Sequence, residues 1–157
     1  MIFGPSVRPV WEAHGDELTS YARAFIAECD QITKEDYIAG LCLEAAIYAP
    51  LGALLDSYDA LICPTFAVPA LAAEWDYGDR LEGRSDADWM DVMMTLPFNI
   101  ASRCPVMSVP SGLSRDGVPT GLSIVGRSYD DVTVFRIAAA HEERYGWYGT
   151  PDRRPAL

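Results

Sequence analysis

Two short runs, Ala60-Leu61-Ile62-Cys63 and Leu122-Ser123-Ile124-Val125, restrict what this chain can fold into more than any other feature. The first is wholly apolar and is stopped by Pro64, which suits a strand covered on both faces. The second is nearly as apolar and ends at Gly126. Val106 to Val109 is a third strand candidate. Between the last two lies Pro110 to Pro119, where Asp116-Gly117 marks a turn because both residues tolerate positive φ. An antiparallel hairpin follows. Three strands make a thin sheet, and an isolated one leaves its edges unpaired. The expectation is an α/β fold with a mixed sheet of about three or four strands flanked by helices, unfinished as it stands.

Helical spacing accounts for much of the remainder. Pro5, Pro9, Trp11 and Gly15 make residues 1–15 an irregular lead-in, and residues 16–58 read as helical. From Asp16 to Asp30 the residues Leu18, Ala22, Phe25 and Cys29 recur on one face, widened by Ile26. Thr33-Lys34-Glu35-Asp36 resembles a capping box opening a second helix. Pro50 lacks the amide hydrogen the helix needs and is expected to kink or restart it, with Leu51 to Leu55 continuing beyond. Residues 59–149 hold the strands, an acidic loop, the hairpin and a last helix. In the acidic stretch Glu74 to Asp91, Trp75, Tyr77 and Trp89 either pin the loop or form a lid or partner surface; a short helix is expected near Ser85 to Met94. Asp130 or Asp131 caps the last helix, with Val134, Ile137 and Ala138 as its stripe and Gly146 as its stop. Residues 150–157 form a Pro-containing tail. One domain, or a piece of a larger one, is the expected organisation.

Charge excludes one class of partner. The net charge is −11, and the sole lysine is Lys34. Nucleic-acid surfaces need clustered cations, so direct nucleic-acid binding is not expected. The richest apolar run, Leu51 to Ile62, is broken by Asp56, Ser57 and Asp59, so no membrane span is expected either. With no secretory pattern at the start, a soluble cytoplasmic protein is the default. Cys29, Cys42, Cys63 and Cys104 form no C-x-x-C pair, and neither His14 nor His141 completes a zinc pattern with them. No metal and no cofactor are expected.

Taken in order, several segments resemble the final third of amidase-signature enzymes. They are Asp59-Ala60-Leu61-Ile62-Cys63-Pro64-Thr65, then Thr95 to Pro105, then Val109-Pro110-Ser111-Gly112. Asp116 to Arg127 follows, then Tyr129-Asp130-Asp131 and a helix containing Glu142. The resemblance implies a partial amidase-signature fold, a carboxy-terminal portion incomplete without its amino-terminal part. Members of that family hydrolyse amides with a Ser–cis-Ser–Lys triad: one serine attacks the carbonyl, the second relays a proton, and a neutral lysine is the base. Those residues lie in the family's amino-terminal and middle portions. This sequence has no Ser-Ser and no Gly-Gly pair. No catalytic residue is therefore assigned. Phe98, Asn99, Ser102 and Ser123 are candidates for a substrate pocket wall. Asn99 either faces substrate or holds loop backbone; Ser102 stands near a place where many relatives have glycine, and Ser123 where many have glutamine.

A local serine site is the remaining route to catalysis, and the residues argue against it. Val-Pro-Ser-Gly around Ser111 is not the G-x-S-x-G elbow, and nothing in the spacing brings His141 to it. Three functions follow. In the first, the chain is the carboxy-terminal portion of an amidase, inactive alone, and a small amide binds only in the complete enzyme. The second is a self-associating or partner-binding module, and the third a piece of the glutaminase subunit of a tRNA-dependent amidotransferase. An amino-terminal amidase segment, or a second copy of the chain, is the expected partner.

Overall fold

A computed structural model of the chain describes residues 3–72, 90–101 and 103–146. The chain divides into two compact units, Met1–Glu44 with Ala72–Trp89, and Ala45–Leu71 with Met90–Leu157.

The first unit is helical. Helix α1 spans Phe3–His14 and is followed by a 3-10 turn at Gly15–Glu17. This corrects the irregular lead-in expected for residues 1–15. Pro5 falls in the first turn, where an amide hydrogen has no helical partner to lose, and only Pro9 forfeits a bond. Packing against α2 and an ion pair from Arg8 to Asp30 hold the helix together. Helix α2 spans Ser20–Gln31, starting four residues later than the spacing suggested. Thr19 sets that start: its backbone is extended and its hydroxyl accepts from the Ala22 amide at 3.3 Å. Ile26 is the buried centre of the apolar face, with Ala22, Phe25 and Cys29 half-buried beside it.

Helix α3, Lys34–Leu55, opens as the capping box predicts. The Thr33 amide donates to Asp36 Oδ2 at 2.9 Å, and the Asp36 amide donates to Thr33 Oγ1 at 3.1 Å. Pro50 does not interrupt it. The missing bond to the Ala46 carbonyl is outweighed by the anchoring of the helix's second half in the second unit. There the Tyr48 hydroxyl bonds Ser128 Oγ at 2.8 Å, Arg103 lies 6.0 Å from the Tyr48 ring, and Leu55 is buried.

The second unit is built on strands β1 (Ala60–Pro64), β2 (Val106–Leu113) and β3 (Pro119–Gly126), in the order β1-β3-β2. Both pairings are antiparallel, with Cys63 and Ser108 flanking Ser123. The expected hairpin forms and is longer than the apolar runs. Its turn is fixed by Gly117 at φ 80°, and the Val118 amide donates to Ser114 Oγ at 3.1 Å. A bulge at Ser111, between Pro110 and Gly112, shifts the register. The full cover expected for β1 is absent, since Ile62 is 58% exposed. β3 does receive it, because it is the central strand. The Thr65 amide bonds the Gly121 carbonyl, and the Gly126 amide bonds the Pro105 carbonyl. Alternation from those bonds turns Pro64 and Pro110 outward, so each free edge carries a proline with no amide hydrogen to offer.

Helix α4 (Leu96–Ala101) was not foreseen. Residues 85–89 of the short helix expected nearby lie outside the described residues, as do Trp75, Tyr77 and Trp89; Met90–Val92 is a 3-10 turn. Helix α5, Asp131–Tyr145, is capped by Asp130, which accepts from the Thr133 amide at 3.2 Å, and ended by Gly146 in the left-handed region. It lays Val134 and Ala138 against Val109 and Ile124 to form the core.

Arg127 joins the end of β3 to the end of α3. Its Nε and Nη2 donate to the Leu55 carbonyl at 3.2 and 2.6 Å, with Asp56 Oδ1 at 3.8 Å. A cation there also offsets the partial negative charge of a helix C-terminus. Arg127→Ala is expected to cost about 1 kcal/mol, below the roughly 1.5–3 kcal/mol of hydrogen bonds to charged groups because the side chain is half-exposed. Arg127→Lys should recover less than half of that, since an ammonium cannot reproduce the fork. Urea unfolding of the three proteins measures both.

The two aspartate caps make stability depend on pH. The Thr33 hydroxyl, then the Thr33 amide, holds Asp36 below the ordinary carboxylate range. Hydrogen bonding from Thr133 does the same for Asp130, helped by Arg127 and Arg136. Lowered folded-state values mean that folding is favoured while both are ionised. The contribution is complete above roughly pH 5 and is lost as pH falls below about 4 through the lowered values. The gap in unfolding midpoint between the native chain and D36A/D130A should therefore close over that window. A gap that stayed constant down to low pH would count against the caps.

Candidate functional site

Of the residues proposed from sequence, the described ones lie on two elements, α4 and β3. Phe98 is half-buried and Asn99 exposed on α4, where the Asn99 amide serves the helix by donating to the Thr95 carbonyl at 3.1 Å. Ser102 lies outside the described residues. Ser123 is 1% exposed in the middle of β3, opposite Cys63 and Ser108. Of the described ones, none lines either of the two clefts at this end of the sheet.

The first cleft, of about 460 Å³, lies between the segment Pro64 to Pro69 and the β2–β3 hairpin. Four hydroxyls line it in two pairs: Thr65 Oγ1 with Ser108 Oγ at 3.2 Å, and Ser111 Oγ with Thr120 Oγ1 at 2.8 Å. The second cleft, of about 560 Å³, lies between the hairpin and α5 and is lined by Ser111, Leu113, Leu122, His141 and Tyr145. Ser111 reaches both because it occupies the bulge.

The topology thus places Ser111 and His141 in one cleft, 30 residues apart and with no sequence spacing to announce it. It does not make a catalytic pair of them. Among the described residues Ser111 Oγ is hydrogen-bonded to Thr120 and not to His141, whose ring lies 4.8 Å from that of Tyr145. Of the other possible bases, Lys34 is exposed at the start of α3, and His14 ends α1 beside Glu17 at 3.2 Å. Burial pushes the Cys63 and Cys104 thiols up, which disfavours the nucleophilic thiolate. Among the described residues no three His, Cys, Asp or Glu side chains form a metal-binding group. What the arrangement offers is hydroxyl donors and acceptors beside apolar wall. The sequence reading missed Thr65, Ser108 and Thr120, whose only signal was the Cys-Pro-Thr end of β1 and a run of small hydroxyl residues along the hairpin.

By architecture this is an α/β protein whose sheet has a central strand between two antiparallel neighbours, with α5 packed on it. The chain belongs to the amidase family, whose model matches residues 12–135. It is 35% identical over 121 residues to a subunit of the glutamyl-tRNA(Gln) amidotransferase of Granulibacter bethesdensis, covering 77% of this chain and 22% of that protein. It is 29% identical over 147 residues to an acylamidase of Rhodococcus erythropolis, covering 93% of this chain and 30% of the relative. The fold of a bacterial aryl acylamidase of the amidase-signature enzymes superposes with a TM-score of 0.76 at 23% identity. That comparison takes in 98% of this chain and 34% of the other. The chain therefore spans about a fifth to a third of the length of these proteins.

Proposed function

We propose that this chain is the carboxy-terminal portion of an amide hydrolase. It contributes sheet and pocket wall, and the attacking serine, relay serine and lysine come from an amino-terminal segment. The supporting observation is α3. Its apolar residues are spread around the whole helix rather than along one stripe, the pattern of a helix meant for cover on every side. Yet residues 34–43 are all exposed, with Ile38 at 51%, Leu41 at 49% and Leu43 at 57%.

By length and composition alone α3 could cross a membrane, contrary to the expectation that no segment would. Protein cover is the better reading. The second half of the helix is engaged through Tyr48 and Leu55, and Glu44 interrupts the apolar surface midway. Family membership and partial coverage of the relatives support an amino-terminal amidase segment as that cover, with a small amide bound only in the joined protein. Four free thiols favour a reducing, cytoplasmic setting. Relatives that belong to amidotransferases support a second reading, in which this chain is part of the corresponding amidotransferase component. The charge of −11 then leaves any tRNA to the other components.

The test is to mix or co-express the chain with the amino-terminal two thirds of an amidase and assay amide hydrolysis. Turnover by the mixture and none by the chain alone is expected. Serine-dependent turnover by the chain alone, or a homodimer covering α3 that excludes the segment, would overturn the reading.

A further inference from the structure

Tyr129 combines two properties that seldom occur together. Among the described residues it is the one non-glycine with positive φ, at 63°, and it is 98% exposed. A left-handed backbone crowds Cβ against the following carbonyl oxygen, so a turn of this kind favours glycine or asparagine. A bulky residue persists there only when its surroundings hold it. The ring of Tyr129 buries almost nothing in this chain, so its own packing does not offset the strain.

The residues on either side are tied down. Arg127 donates to the Leu55 carbonyl, and the Ser128 and Tyr48 hydroxyls share a hydrogen bond of 2.8 Å. The Asp130 amide donates to the Arg127 carbonyl at 2.9 Å, closing a turn around Tyr129, and the Asp130 carboxylate caps α5. Val132 and Phe135 follow, three residues apart and therefore on one side of α5, at 59% and 63% exposed. Val134 and Ala138, which face the core, lie on another side.

We infer that Tyr129 anchors a docking face for the amino-terminal amidase segment, its ring entering an apolar socket of that segment with Val132 and Phe135 bordering the contact. Three exposed apolar side chains, two of them aromatic, match an apolar partner surface. An aromatic ring held ready before contact loses little freedom on binding, which is the character of an interface hot spot. Length argues for this occupant: the chain takes in 34% of the aryl acylamidase on which it superposes, so most of such a protein remains to cover the face. A second copy fits less well. Two-fold pairing would set these three residues against their own counterparts, and none of them lines either cleft that could receive a ring. The identity of the partner rests on the amidase reading above; the strained, uncovered tyrosine does not.

Glycine at position 129 removes the strain and the anchor together. The native 157-residue chain, Y129G, Y129F and V132D/F135D are unfolded in urea, and each is titrated by calorimetry with the amino-terminal two thirds of an amidase. Y129G should unfold at a higher urea concentration than the native chain, yet bind the segment at least about tenfold more weakly, the loss expected of a hot spot. Y129F, which keeps the ring, should bind within about threefold of the native chain, and V132D/F135D should bind at least about tenfold more weakly. A lower midpoint for Y129G would show that the chain itself holds the tyrosine, and would overturn the inference. So would undiminished binding by Y129G and V132D/F135D, or a homodimer of the chain that V132D/F135D dissociates. Amide turnover by the native mixture with no effect of these variants defeats the docking face alone. Failure of the native chain to bind the segment defeats the amidase reading and the docking face together.

Discussion

Gly126→Ala is expected to destabilise the sheet unit by about 2–3 kcal/mol, the upper part of the range for overpacking a closed core. A Cβ at position 126 would overlap Val134 Cγ2, and would press within 3.3 Å of Pro105 Cγ and 3.4 Å of the Asp130 carbonyl oxygen. Relief is difficult on every side. Val134 is 2% exposed and β-branched, so its χ1 has one strongly favoured well in a helix. Asp130 is held by its cap, and the Gly126 amide is bonded to the Pro105 carbonyl at 2.9 Å. Gly126 does not have positive φ, so the effect isolates steric contact from backbone strain. Removing the obstructing methyls should return part of the loss. G126A/V134A should be more stable than the sum of the single changes by about 1 kcal/mol, a coupling of the size seen between touching residues. Urea unfolding of the four proteins reads this directly. A G126A effect under about 0.5 kcal/mol would show that α5 is not seated on β3 as described.

The second large effect concerns catalysis. Loss of the nucleophile or base of a serine hydrolase lowers kcat by on the order of 10⁶-fold. A chain without an assembled pair should give no amide turnover above background, and the amino-terminal amidase segment should raise the rate by at least about 10³-fold even if assembly is imperfect. Leu41→Asp and Leu43→Asp discriminate among the causes. Both side chains are about half-exposed, so the chain's own fold should tolerate the change. Together they should abolish the gain in rate and the complex itself, as judged by co-elution. Undiminished turnover in L41D/L43D would place the contact elsewhere on the chain.

The sequence made some parts of this site legible and others not. It placed β1, β3 and the hairpin, because apolar runs ended by proline or glycine are signals contained within a few residues. It did not find the cleft. Ser108 and Ser111 come from β2, Thr120 from β3 and Thr65 from just past β1, and no periodicity links a residue after β1 to one 43 positions later. Phe98, Asn99, Ser102 and Ser123 follow from resemblance alone. The described ones lie on α4 or inside β3, and although Ser123 is opposite Ser108, none of them lines the cleft. Helix α1 was missed because two prolines argue against it locally, while its support comes from α2.

What the sequence determined by itself was the set of local choices. Thr33 with Asp36 opens α3, Asp116-Gly117 turns the hairpin, Asp130 starts α5, and Gly146 ends it. In each, the partners lie within four residues, so the interaction energy is present in the chain before any packing. Tertiary structure decided which strand became central, whether α3 ran on through Pro50, and which hydroxyls met. It also set Arg127 on a carbonyl 72 residues away and Gly126 under Val134. Those outcomes depend on burial shared among distant segments, and that energy exists only once the segments have come together.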